Sequence, residues 1–160
     1  GGKYSAFEAG TRVPMIVSFP SKINEPKINN ALISQVDIYA SLAQLTGQQL
    51  ANTEAIDSQG LLETLMGESK GRTFMLEESF TLSLRKNNWK YISPLEGKQL
   101  PTWINNKQVE SGLSRDEQLY NLSLDLNESH NIANEYPELL SEMKNKIEEI
   151  KQRSERGIMP

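Results

Sequence analysis

The 160-residue sequence contains no cysteine. Within this chain that excludes a disulfide framework, a thiolate zinc site and a cysteine nucleophile. It has one histidine, His130, set in the polar run Asn127-Glu128-Ser129-His130-Asn131. A base or metal ligand is the alternative, but the residue reads as a surface histidine. No apolar run approaches the ~18 to 20 residues that span a bilayer, so no membrane span is expected, and no stretch reads as a signal peptide. Basic residues do not dominate: Lys plus Arg number 17 against 21 acids, a net charge of -4. They are scattered, which argues against a nucleic-acid footprint. Internal repeats and low-complexity tracts are also lacking. What is present is 37 % hydrophobic residues and a mean hydropathy of -0.54. That is enough for a modest core, in one domain or in a small domain with a piece of another.

The chain opens on GGKYSAFEAGTRVP, a loop-like run that crowds glycines with Lys3, Glu8 and Arg12. It reads as the interior of a polar site, and the abrupt opening as a truncation point. Residues 13–19 (VPMIVSF), bounded by prolines, predict a short buried strand of the parallel type. Residues 34–45 predict a helix. Leu32, Val36, Tyr39, Ala43 and Thr46 recur at helical spacing, and Ile33, Ala40 and Leu45 widen the stripe. Ser34 is placed to cap its start and Gly47 to close it. A second short helix is expected over 61–66, ended by Gly67. Strand composition follows at 72–79 and 82–85. Asn87-Asn88 lies between LSLRK and WKYIS and predicts a hairpin, because asparagine tolerates positive φ. Residues 94–117, with Pro101 and Trp103, form a polar segment longer than most compact connections. QLYNL (118–122) reads as a strand and 137–153 as a helix opened by Pro137. Its apolar stripe is Leu139, Leu140, Met143, Ile147 and Ile150, with Glu142/Lys146 and Glu149/Arg153 as ion pairs on the wet side. The expectation is a strand-helix-helix piece, then a small antiparallel sheet covered by an amphipathic helix.

Five stretches, in order, resemble the C-terminal portion of the type I sulfatases, the arylsulfatase-like sulfuric ester hydrolases of the alkaline phosphatase superfamily. They are GGKYSAFEAGTRVPMIVSFP, ISQVDIYASLAQLTG, IDSQGLLETLMGE, LRKNNWKYI and EQLYNLSLDLNESHNIANEYPEL. The resemblance implies an α/β parent, α+β for this part. Residues 1–69 would be the tail of the catalytic α/β domain. Residues 70–160 would be a C-terminal subdomain, a four-stranded antiparallel sheet packed by the last helix. It implies hydrolysis of a sulfate ester through a formylglycine nucleophile and calcium. Both would be supplied by an N-terminal part preceding these residues, with no metal ligands here. A sulfated small molecule or glycan would be the substrate, in a periplasmic or secreted setting, and the 160 residues alone would be inactive. Ser18-Phe19-Pro20-Ser21-Lys22 partly matches the family's nucleophile motif. Lys22 replaces its arginine, however, and the stretch reads better as a strand ending at a proline turn. Two other readings stand beside this one: a non-catalytic recognition or interaction module, and a phosphate or phosphonate ester hydrolase of the same superfamily.

Site residues follow from the resemblance. Lys3 matches the family lysine that contacts the substrate sulfate, where an ammonium can stabilise charge building on the oxygens. Glu8 and Arg12 are either an ion pair holding the loop or ligand contacts, and the resemblance favours the structural role. Gly10 serves the turn, and Ala9 stands where the family usually has a second glycine. Trp103 is a candidate substrate contact by stacking, whereas Trp89 and Tyr120 read as core of the small sheet. Asp37 and Asp57 are isolated acids without calcium-loop spacing, assigned to a helix start or turn.

Overall fold

A computed structural model of the chain describes residues 2–68, 70–97 and 110–157, the last four by backbone alone. Trp103 and most of the long polar segment lie outside the described residues. The elements are α1 (Glu8–Thr11), α2 (Asp37–Leu45), α3 (Leu62–Leu65), β1 (Phe74–Ser79), β2 (Thr81–Lys86), β3 (Trp89–Ile92), β4 (Gln118–Asn121), a 3-10 turn (Ala133–Glu135) and α4 (Pro137–Gly157). They divide between two compact units, Gly1–Pro14 with Leu76–Glu148, and Met15–Met75 with Glu149–Pro160.

The first unit is built on a sheet of order β1-β2-β3-β4. Strands β2 and β3 pair antiparallel with Lys86 opposite Trp89, so Asn87-Asn88 is a two-residue turn. Asn87 takes φ 52° there, the left-handed conformation such a turn demands. Strands β3 and β4 also pair antiparallel, with Lys90 opposite Tyr120. Leu84, Ile92, Leu119, Met143 and Ile147 are buried. Met143 and Ile147 are four residues apart on α4, as the predicted stripe requires. Trp89 is half-buried, its ring centroid 5.1 Å from that of Tyr136. The Leu119 amide donates to the Asn131 side chain at 3.0 Å, and the Ile132 amide donates to the Leu119 carbonyl at 3.0 Å. Residues 131–132 thereby cover the outer edge of β4, which would otherwise offer unpaired groups.

The second unit holds α2 and α3. Helix α2 ends in a Schellman arrangement: the Gln48 amide donates to Ala43 O at 2.9 Å and the Gly47 amide to Gln44 O at 3.2 Å. Gly47 sits at φ 70°, a conformation glycine adopts without steric cost. The start of α2 differs from expectation. The helix begins at Asp37, and its N-cap Val36 makes no side-chain capping bond. The Ser34 amide instead donates to Oδ2 of Asp37, the first residue of the helix, at 2.9 Å, which ties the preceding turn to the helix start.

One further expectation is overturned and another holds only in part. Residues 13–19 form no strand, and Val13, Met15, Ile16 and Val17 are exposed, Ile16 to 93 %. An apolar run becomes a strand only where a neighbour takes its amides and carbonyls, and no described strand lies beside it. The proline turn at its end is present, with the Lys22 and Ile23 amides donating to Phe19 O at 2.9 and 2.8 Å. The expected apolar stripe of α2 is only partly covered: Ala40 is buried and Leu32, Ile33 and Ala43 are half-buried, while Val36, Tyr39, Leu45 and Thr46 are exposed. The face fastened by hydrogen bonds is the one bearing Asp37, Ala40 and Ser41, all buried. The Ala40 amide donates to Ser58 Oγ at 3.0 Å, the Leu61 amide to Ser41 Oγ at 2.9 Å and the Gln59 amide to Asp37 Oδ1 at 2.9 Å.

Candidate functional site: the Lys3 loop and its buried anchor

The loop bearing Lys3 is made by a tight turn. The Ser5 amide donates to Gly2 O at 2.9 Å, which puts Lys3 and Tyr4 at the tip. Both side chains are exposed. Tyr4 takes φ 75°, and the Lys3 Nζ lies 5.0 Å from the centre of its ring. Below the tip the chain is pinned. Ser5 Oγ donates to Glu110 O at 3.1 Å and the Ala6 amide to Ser111 O at 2.7 Å. Ala6 is buried in a cluster with Ile92, Tyr120 and Leu122, flanked by Phe7 and Leu113. The Phe7 and Tyr120 rings meet edge to face at 5.8 Å. Gly10 is required by contact: a Cβ there would lie 2.1 Å from Ser5 O.

Helix α1 then drops Glu8 into a buried charge cluster. Arg85 and Lys90 are register partners across β2 and β3, a placement in which like charges repel. Glu8 bridges them. Its Oε2 takes Arg85 Nη1, and its Oε1 lies 3.1 Å from Lys90 Nζ. Lys90 is fully buried and is also held by Glu77 Oε2 at 3.0 Å and by Thr11 Oγ1 at 3.4 Å. Burial alone would raise the Glu8 pKa, but Lys90 and Arg85 outweigh it and hold the group below the usual carboxylate range.

Glu128 completes the cluster from the turn after β4. It is 5 % exposed at φ 54°, and its Oε2 accepts the Glu8 amide at 2.6 Å. Its Oε1 and the Arg85 Nε are buried without a partner among the described residues. Burial pushes its pKa up to about 7, against the opposing pull of the Glu8 amide and Lys90. Three carboxyls thus face two cations, and Glu128 is the one left over.

The sequence-named residues fall as follows. Lys3 is solvent-facing at a pinned loop. Glu8 turns inward to Arg85 and Lys90, so the expected alternative of a Glu8–Arg12 pair gives way to pairing across the sheet, and Arg12 is exposed. His130 is 86 % exposed in its side chain, 3.9 Å from Asp125. Tyr120 is buried. Asp37 is fully buried, and its carboxylate is gripped by the Arg72 guanidinium, which also donates to the Asp57 carbonyl. Burial would raise the Asp37 pKa, but Arg72 and two backbone amides lower it. Among the described residues no three of His, Asp or Glu gather as a metal site. Sequence reasoning missed Glu77, Arg85, Lys90 and Glu128. The one available signal was a lysine inside the apolar strand run WKYIS.

No family model matches the chain. It is 42 % identical over 156 residues to an N-acetylgalactosamine-6-O-sulfatase of Bacteroides thetaiotaomicron, covering 96 % of this chain and 30 % of that protein. A solved structure from the metabolism of multiple glycosaminoglycans by Bacteroides thetaiotaomicron superposes at TM-score 0.87 and 42 % identity, covering 95 % of this chain and 32 % of that one. The PsFucS1 sulfatase from Pseudoalteromonas sp. shares the fold at TM-score 0.78 and 18 % identity, covering 99 % of this chain and 33 % of that one.

Proposed function

This chain belongs to the type I sulfatases and corresponds to their C-terminal portion, and from that premise we propose that the longer protein it serves hydrolyses a sulfate ester. Residues 1–69 complete its catalytic α/β domain and 70–160 form its C-terminal subdomain. The formylglycine nucleophile and the calcium come from residues outside these 160. The substrate class is a sulfated glycan, with a 6-O-sulfated N-acetylgalactosamine unit favoured by the relative that matches at 42 % identity.

What this chain contributes to the reaction is Lys3. As the bond to the leaving oxygen breaks, negative charge builds on the sulfate, and an ammonium aimed at its oxygens lowers the barrier. An exposed lysine on a loop pinned at Ser5, Ala6 and Glu8 meets that need, and it is the observation that carries the reading. Loss of one such donor costs about 10²–10³ in turnover. Lys3→Ala in the full-length protein is therefore expected to reduce p-nitrophenyl sulfate hydrolysis by that order with the fold intact. Unchanged turnover would remove Lys3 from the site.

A further inference from the structure

Tyr4 combines two features that do not normally coincide. Its backbone sits at φ 75°, where a bulky L residue is strained and glycine is not. The residue is nevertheless 44 % exposed, outside the buried core, so core packing does not account for keeping a tyrosine there. The strain is held from the β1–β2 corner by two successive residues. Ser79 Oγ donates to the Tyr4 carbonyl. Phe80, itself at φ 58°, sets its ring centroid 6.2 Å from that of Tyr4, tilted by 52°. A strained residue maintained by its surroundings marks a functional constraint. The group beside the ring is the Lys3 ammonium, 5.0 Å from its centre, within the range in which an aromatic face attracts a cation.

We propose that Tyr4 is a positioning residue for Lys3: its ring, backed by Phe80, confines the flexible lysine stem so that the ammonium is presented to the substrate's sulfate. Lysine is otherwise a mobile point charge on four rotatable carbons, and catalysis requires its charge in place before the bond breaks. This inference rests on the assignment of Lys3 to the sulfate.

The test uses the full-length protein with Lys3→Ala, Tyr4→Phe, Tyr4→Leu and Tyr4→Gly, and the Lys3→Ala/Tyr4→Leu double variant. Turnover of p-nitrophenyl sulfate and thermal unfolding are read for each. Tyr4→Phe keeps the aromatic face and is expected within about twofold of the parent in kcat/KM. Tyr4→Leu is expected to lose about fivefold, the scale of one exposed cation–aromatic contact. Tyr4→Gly should lose as much while its Tm holds or rises, because the strained φ is relieved. In the double variant the Tyr4 change should add nothing to the Lys3→Ala loss. Full activity in Tyr4→Leu and Tyr4→Gly beside a damaged Lys3→Ala would overturn this inference alone. So would a Tyr4→Leu loss that persists undiminished on the Lys3→Ala background. A silent Lys3→Ala would overturn the sulfate assignment and this inference with it.

Discussion

Arg85 and Lys90 stand opposite each other in adjacent strands, and it is Glu8, from a helix of four residues, that makes this tolerable. Removing it leaves Arg85 without its carboxylate and Lys90 with that of Glu77 alone. Breaking a buried pair by deleting one partner costs roughly 3–5 kcal/mol, so Glu8→Ala should lower the urea unfolding free energy by that amount. A change under about 1 kcal/mol would mean the cations are not held as described. Glu128 gives the opposite signature. Its pKa is raised to about 7 in the folded chain, so between its ordinary value and 7 the folded state keeps a proton that the unfolded chain has released. Its stabilising contribution is whole at acid pH and is lost as pH rises through 7. The unfolding free energy should fall by about 1–2 kcal/mol between pH 5 and 8, and Glu128→Gln should flatten that slope. Glu8, Asp37 and Asp125, all with lowered pKa values, lose stability only on acidification and so leave this window to Glu128. Parallel slopes in parent and variant would refute the assignment. None of this was legible beforehand. Glu8 and Lys90 lie 82 residues apart, and no local spacing encodes a contact of that range.

At the scale of elements, periodicity and turn chemistry served well where the partner lies within the chain. Asn87-Asn88 turned where expected because a two-residue turn is decided locally. Met143 and Ile147 of α4 are buried because the sheet is present to receive them. The same reasoning failed for residues 13–19 and for the outer face of α2. Apolar pattern tells which face wants burial, not whether a partner is at hand. Helix α2 is secured through Asp37, Ala40 and Ser41, leaving Tyr39, Leu42 and Leu45 outside. We propose that this face and residues 13–17 pack on the N-terminal catalytic part. Leu42→Lys should then shift the stability of the 160-residue chain by no more than about 0.5 kcal/mol. In the full-length protein it should cost about 2–5 kcal/mol, the range for loss of a buried leucine. Equal effects in both would contradict that packing.

For the molecule as a whole, the family was legible in five ordered stretches, and the chain matches a 6-O-sulfatase along 96 % of its length while spanning 30 % of that relative. The proposed division of labour is accordingly asymmetric: nucleophile and metal from elsewhere, a sulfate-side cation from here. The 160-residue chain by itself should hydrolyse no p-nitrophenyl sulfate, and calcium-dependent turnover by the purified chain would overturn that division. In the proposed reaction Lys3, held by the buried anchor beneath its loop, contacts the sulfate. The most direct test of that contact is kcat/KM of the full-length protein on a 6-O-sulfated N-acetylgalactosamine substrate, with and without Lys3→Ala. A fall of about 10²–10³ with an unchanged Tm is expected, and wild-type turnover in the variant would remove Lys3 from the sulfate.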